Sequence, residues 1–75
     1  MKLKISFSNG ACPIFCSTQA FTLGYNDVNT IADDNQNVIA MVFEHSENNT
    51  SNDFTNLINL LQETYPTELT FEVIE

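Results

Sequence analysis

The residues best equipped for chemistry are two cysteines, one histidine and a run of acids and amides. Cys12-Pro13-Ile14-Phe15-Cys16 spaces its thiols as C-x3-C, not as the C-x2-C of thiol–disulfide exchange or zinc sites. Four residues apart on one strand, the two would stand roughly 13 Å from each other, beyond the ~7 Å that a disulfide spans. Both therefore read as small buried apolar residues. A structural zinc site needs about four ligands, and Cys12, Cys16 and His45 would leave the fourth to a carboxylate, a poor fit. His45 is the sole histidine and the natural general base. Ser46 beside it points to the opposite face if both lie on a strand, so His45 reads as a solvent-exposed residue at a strand end.

A second pattern runs through Asp33-x-Asn35-x-Asn37 to Glu44. It places acids or amides at positions 1, 3, 5 and 12 of a calcium loop. That loop requires glycine at position 6 for its sharp turn, and the residue there is Val38, followed by an apolar run. An acidic hairpin turn is the better reading. The two glycines, Gly10 and Gly24, form no phosphate-binding loop. No enzyme, metal or cofactor is expected from these residues.

Charge constrains partners more than any motif. Lys2 and Lys4 are the only basic side chains against ten Asp and Glu, a formal net charge of −8 on 75 residues. Such a chain repels phosphate, so direct nucleic-acid binding and anionic membrane surfaces are poor fits and a basic protein surface is a good one. Asp27, Asp33, Asp34, Glu44 and Glu47 fall around the middle of the chain, and Glu63, Glu68, Glu72 and Glu75 toward its end. Solubility alone would explain an acidic surface. The functional alternative is that Asp33, Asp34, Glu44 and Glu47 converge at one sheet edge and imitate the phosphates that a basic groove expects.

These side chains must be positioned by one small domain covering residues 1–75. Residues 2–8 alternate Leu3, Ile5 and Phe7 against Lys4, Ser6 and Ser8, the pattern of a half-buried strand. Asn9-Gly10 is a hairpin signal, and the return strand would carry Cys12, Ile14 and Cys16 inward. Pro13 conflicts with a two-residue turn, because it would face a hydrogen-bonded pair with no N–H to donate. A four-residue loop, Ser8 to Ala11, removes the conflict and makes that stretch an edge; a three-residue loop would turn the cysteines outward. The strand continues to Phe21-Thr22-Leu23 and stops at Gly24.

Residues 25–34 fit a helical turn, a short strand or an ordered loop. Positions 33–37 are a turn by composition, and Val38 to Phe43 form a buried central strand. A helix begins at Ser51 or Asn52 with Asp53 in its first turn. Phe54, Leu57, Ile58, Leu61 and Tyr65 make its apolar stripe, and Pro66 stops it. Leu69, Phe71 and Val73 alternate with Thr70, Glu72 and Ile74 in a last strand. The predicted class is α+β: a two-layer, mainly antiparallel four-stranded sheet (β-β-β-α-β) with one amphipathic helix packed on one face.

The start of the chain is no signal peptide, and no segment approaches ~20 apolar residues, so a cytoplasmic setting with reduced thiols is expected. Ten asparagines suit an AT-rich coding genome such as that of a phage or a low-GC bacterium. In composition the chain resembles small phage-encoded inhibitors, including anti-CRISPR and anti-restriction proteins. That resemblance implies a non-enzymatic protein, acting in the host cytoplasm, that binds and inhibits a larger protein through a positively charged and nucleic-acid-binding surface. The alternative is a structural or oligomerisation module, a homodimer whose exposed strand edge pairs with a second copy and whose Leu60 and Ile74 supply apolar contacts.

Overall fold

A computed structural model describes residues 2–8, 11–45 and 54–74. Its elements are β1 (Lys2–Phe7), α1 (Pro13–Thr22), β2 (Tyr25–Ala32), β3 (Val38–His45), α2 (Thr55–Thr64) and β4 (Leu69–Ile74). The four strands form one sheet in the order β2-β3-β1-β4, and every neighbouring pair is antiparallel. Each helix links two strands that run the same way with a third between them, the split βαβ arrangement. The fold is the expected α+β sandwich of a helical layer on an antiparallel sheet. It has two helices where the sequence suggested one.

The alternation in β1 sets the register. Leu3 lies between Phe43 and Val73, and Ile5 between Met41 and Phe71. Both helices pack on the face these residues share: α1 contributes Cys16 and Ala20, α2 contributes Leu57 and Leu61, and Phe54 and Tyr25 complete the cluster. Leu3, Ile5, Phe43, Leu57 and Leu61 are fully buried, each burial worth roughly 1.5–3 kcal/mol. The stripe expected for α2 is the buried one, with Ile58 and Tyr65 packed at its margin. Its proposed start at Ser51, Asn52 and Asp53 lies outside the described residues. The expected central strand is β3, whose Ala40 to Phe43 are all buried.

The segment after β1 differs from the strand expected there. Residues 13–22 are helix α1 with Pro13 in its first turn, where a missing N–H costs no hydrogen bond and a fixed φ suits the helix. The apolar pattern that matters is Cys16 and Ala20, four apart and both buried, whereas Ile14 is 77 % exposed. A strand would have hidden Ile14. Gly24 ends the helix with φ 92°, and its N–H donates to the Phe21 carbonyl at 3.0 Å, a left-handed C-terminal cap. The turn residues Asn9 and Gly10 lie outside the described residues. Beyond them, the Ser8 N–H donates to the Glu68 carbonyl at 2.9 Å and ties the end of β1 to β4.

Residues 25–32, ambiguous in sequence, form edge strand β2. Its register against β3 shifts twice. Val28 and Ile39 are the extra residues, and both stand largely exposed, 46 % and 42 %. Such bulges twist an edge and interrupt its ladder.

Candidate functional site

Of the four acids expected to meet at one edge, Asp33 and Asp34 are separated from Glu44. Asp33 and Asp34 lie in the turn joining β2 to β3, while Glu44 pairs with Asn26 at the other end of that hairpin. Six residue steps from Val38 to Glu44 amount to roughly 20 Å. The distance arises because β2 pairs with β3 over nearly its whole length, so the hairpin has two remote ends. Glu47 lies outside the described residues.

Asp33 has a local structural role. Its Oδ1 accepts from the backbone N–H of Asn35 at 2.9 Å and of Asn37 at 3.0 Å. Its own N–H donates to the Asn37 carbonyl, and its carbonyl accepts from Gln36. The carboxylate closes a turn on backbone donors. Gln36 takes φ 64° to complete it. Asp34 projects from the same turn, exposed.

Asp27, outside the expected contact set, joins this edge. Its Oδ1 accepts from the Asn29 N–H at 3.1 Å, and its Oδ2 accepts from the Thr30 hydroxyl at 2.7 Å. The two bonds orient the carboxylate across the Val28 bulge. Thr30 in turn lines a cleft of about 200 Å³ together with Pro13, Ile14, Ser17, Thr18, Val38 and Met41. Asp27-x-Asn29-Thr30 carries the spacing of an aspartate turn, the one sequence signal that pointed here.

Cations are kept away from this side. The chain's two lysines alternate to the sheet face opposite the helices, Lys4 lying between Val42 and Glu72 and Lys2 beside Ile74. No lysine or arginine occurs in α1, β2 or β3. The β2 edge therefore presents Asp27, Asp33 and Asp34 with no lysine or arginine on its own strand, on β3 or on α1.

The thiols and the histidine are differently placed from expectation. On α1 the cysteines sit one helical turn apart instead of along a strand, and only Cys16 is buried; Cys12 is exposed. Burial, and secondarily the charge of Cys12, pushes the Cys16 thiol from 9.0 up to about 11, which disfavours the nucleophilic thiolate. The Cys12 N–H donates to the Tyr65 hydroxyl at 3.1 Å, and the Phe15 ring meets Tyr65 edge-on. His45 is half-buried, its ring edge-on to Tyr25 at 5.0 Å, and is not the exposed strand-end residue expected. It faces the core because it continues the Met41 and Phe43 alternation. Among the described residues no three of His, Cys, Asp and Glu are grouped to hold a metal ion, and no helix is long and apolar enough to cross a membrane.

Comparison of the chain with models of known protein families, with curated proteins and with solved structures finds no match.

Proposed function

We propose that this is a non-enzymatic inhibitor that occupies a positively charged surface of a larger, nucleic-acid-handling protein, in the manner of phage-encoded anti-CRISPR and anti-restriction proteins, in the cytoplasm. The observation carrying the reading is charge segregation. Both lysines lie on the helix-free face of β1, and the β2 edge with its turn holds Asp27, Asp33 and Asp34 without a compensating cation. A basic groove meeting that edge gains complementary potential and fast association. Asp27, Asp33 and Asp34 are spread along the edge strand and its turn over roughly 20 Å. Glu44 lies on the inner strand β3 and faces the side of the sheet opposite Asp27, so the contact set this reading favours is Asp27, Asp33 and Asp34.

The test uses immobilised protein offered a bacterial lysate at low salt, beside a variant with Asp27→Asn, Asp33→Asn and Asp34→Asn. At Asp33 asparagine keeps the one oxygen that closes the turn; at Asp27 it keeps the acceptor for the Asn29 N–H, and the Thr30 hydroxyl can accept from the new amide instead of donating. The expected result is capture of a basic protein that elutes at about 1 M salt, where the screening length is about 3 Å. The triple variant should fail to capture it, and the inhibitor should displace nucleic acid from the captured protein. Equal capture by both forms, or retention at high salt, would overturn the reading.

A second reading, pairing of a strand edge with a second copy, is favoured at β4 alone. The ladder of β2 is interrupted at two places, whereas β4 pairs with β1 without a shift and leaves Val73 49 % exposed. A dimer that persists at high salt in size-exclusion chromatography would support it.

A further inference from the structure

The cleft between α1 and the β2–β3 hairpin has the size, lining and charge to take one long cationic side chain. It is lined by the apolar Pro13, Ile14, Val38 and Met41 together with Ser17, Thr18 and Thr30. At about 200 Å³ it is smaller than the roughly 300–1,000 Å³ typical of small-molecule and cofactor pockets. That suits a single side chain better than a nucleotide or a cofactor.

Sign and orientation select the chain. Thr30, which lines the cleft, donates its hydroxyl to Asp27 Oδ2 at 2.7 Å, so an oriented carboxylate lies one hydrogen bond beyond the lining. Two donors occupy Asp27, but a carboxylate offers about four lone-pair sites, leaving room for a bidentate partner. Pro13 and Ile14, in the first turn of α1, line the cleft with apolar surface on which an aliphatic stem can rest.

We infer that this cleft is the subsite for an arginine side chain of the partner, the stem resting on Ile14, Val38 and Met41 and the guanidinium reaching Asp27. Arginine fits better than lysine because its planar fork matches a carboxylate and it is the more weakly hydrated cation. The assignment rests on the proposed basic partner and names the contact at its centre.

The experiment titrates N-acetyl-arginine N-methylamide into the isotope-labelled full chain and follows backbone amide resonances at low salt. The neutral citrulline derivative of the same shape is the control. Saturable shifts are expected at Thr18, Thr30 and Val38. The citrulline derivative should bind about tenfold more weakly, the size of one hydrogen bond to a charged group. Asp27→Asn should weaken the arginine derivative by a similar factor, and Glu72→Gln, on the opposite sheet face beside Lys4, should leave it unchanged. Ser17→Leu, which fills the cleft from the helix side, should abolish the shifts while the spectrum stays dispersed. Equal binding of the two derivatives, or shifts centred on residues 33–37, would overturn the assignment. So would full binding by Asp27→Asn or by the filled variant.

Failure here is distinguishable from failure of the broader reading. If a basic protein is still captured and released by salt while the arginine derivative ignores the cleft, the subsite is wrong and the basic partner stands. If the triple asparagine variant captures as well as the native chain, the broader reading falls and takes this subsite with it.

Discussion

Asp33 and Asp34 are adjacent acids with different work in one turn. Asp33 holds two backbone N–H groups through a single oxygen, and Asp34 is simply exposed. Asp33→Ala should therefore cost about 1–2 kcal/mol, as loss of a comparable side-chain cap does, and Asp34→Ala should stay within about 0.5 kcal/mol of native. Urea denaturation midpoints would show this, and equal midpoints would refute it. The cysteines divide in the same way. A Cys12→Ser chain should resist thiol reagents until denatured, because Cys16 is fully buried and its thiol is held protonated up to about pH 11. The sign of the linkage follows. Below pH 9 the Cys16 thiol is neutral whether folded or not, and between 9 and about 11 only the unfolded chain ionises there. Stability should fall across that window, more steeply than in Cys16→Ala. Identical slopes would show that burial does not perturb Cys16. At this scale the turn acids were legible in sequence, because an aspartate turn is local chemistry; the partners of Cys16 were not, because they are tertiary.

Among the elements, β1, α2 and β4 were readable because each turns one regular apolar face to the core, and β3 because its unbroken apolar run is buried on both faces. α1 was misread because Cys12, Ile14 and Cys16 mimic strand alternation, and because Ile, Phe, Cys and Thr are middling helix formers. Two residues spoke for the helix: Pro13, which the two-residue hairpin turn could not accommodate, and Gly24, eleven positions on. Proline just inside a start with glycine just past an end is the helix asymmetry. β2 was illegible for another reason, since Tyr25 is its only buried residue and it shows no alternation to read. Gly24 supplies the sharpest test of α1. At φ 92° a side chain clashes, so Gly24→Ala should destabilise by about 1–2 kcal/mol. A neutral result would mean that α1 does not end in a left-handed cap.

For the molecule as a whole, one charge distribution should produce two opposite responses to salt. The net charge of −8 sits on a body with a radius of gyration of 11.6 Å. At about 0.01 M salt the screening length is about 30 Å, so all the carboxylates repel one another across the fold. At about 0.15 M it is about 8 Å, shorter than the molecule, and most of that repulsion is gone. Self-repulsion destabilises the compact state, so the urea midpoint of the isolated chain should rise over this step. A complex with a basic partner should loosen over the same step, because its attraction is screened too. The triple asparagine variant removes three of the excess negative charges and should weaken both responses together. If salt stabilised the fold without loosening the complex, the carboxylates would be acting on the fold alone and binding would have to rest on apolar contacts such as Ile14 and Val73. Calorimetric binding and chemical denaturation at matched ionic strengths separate the two cases.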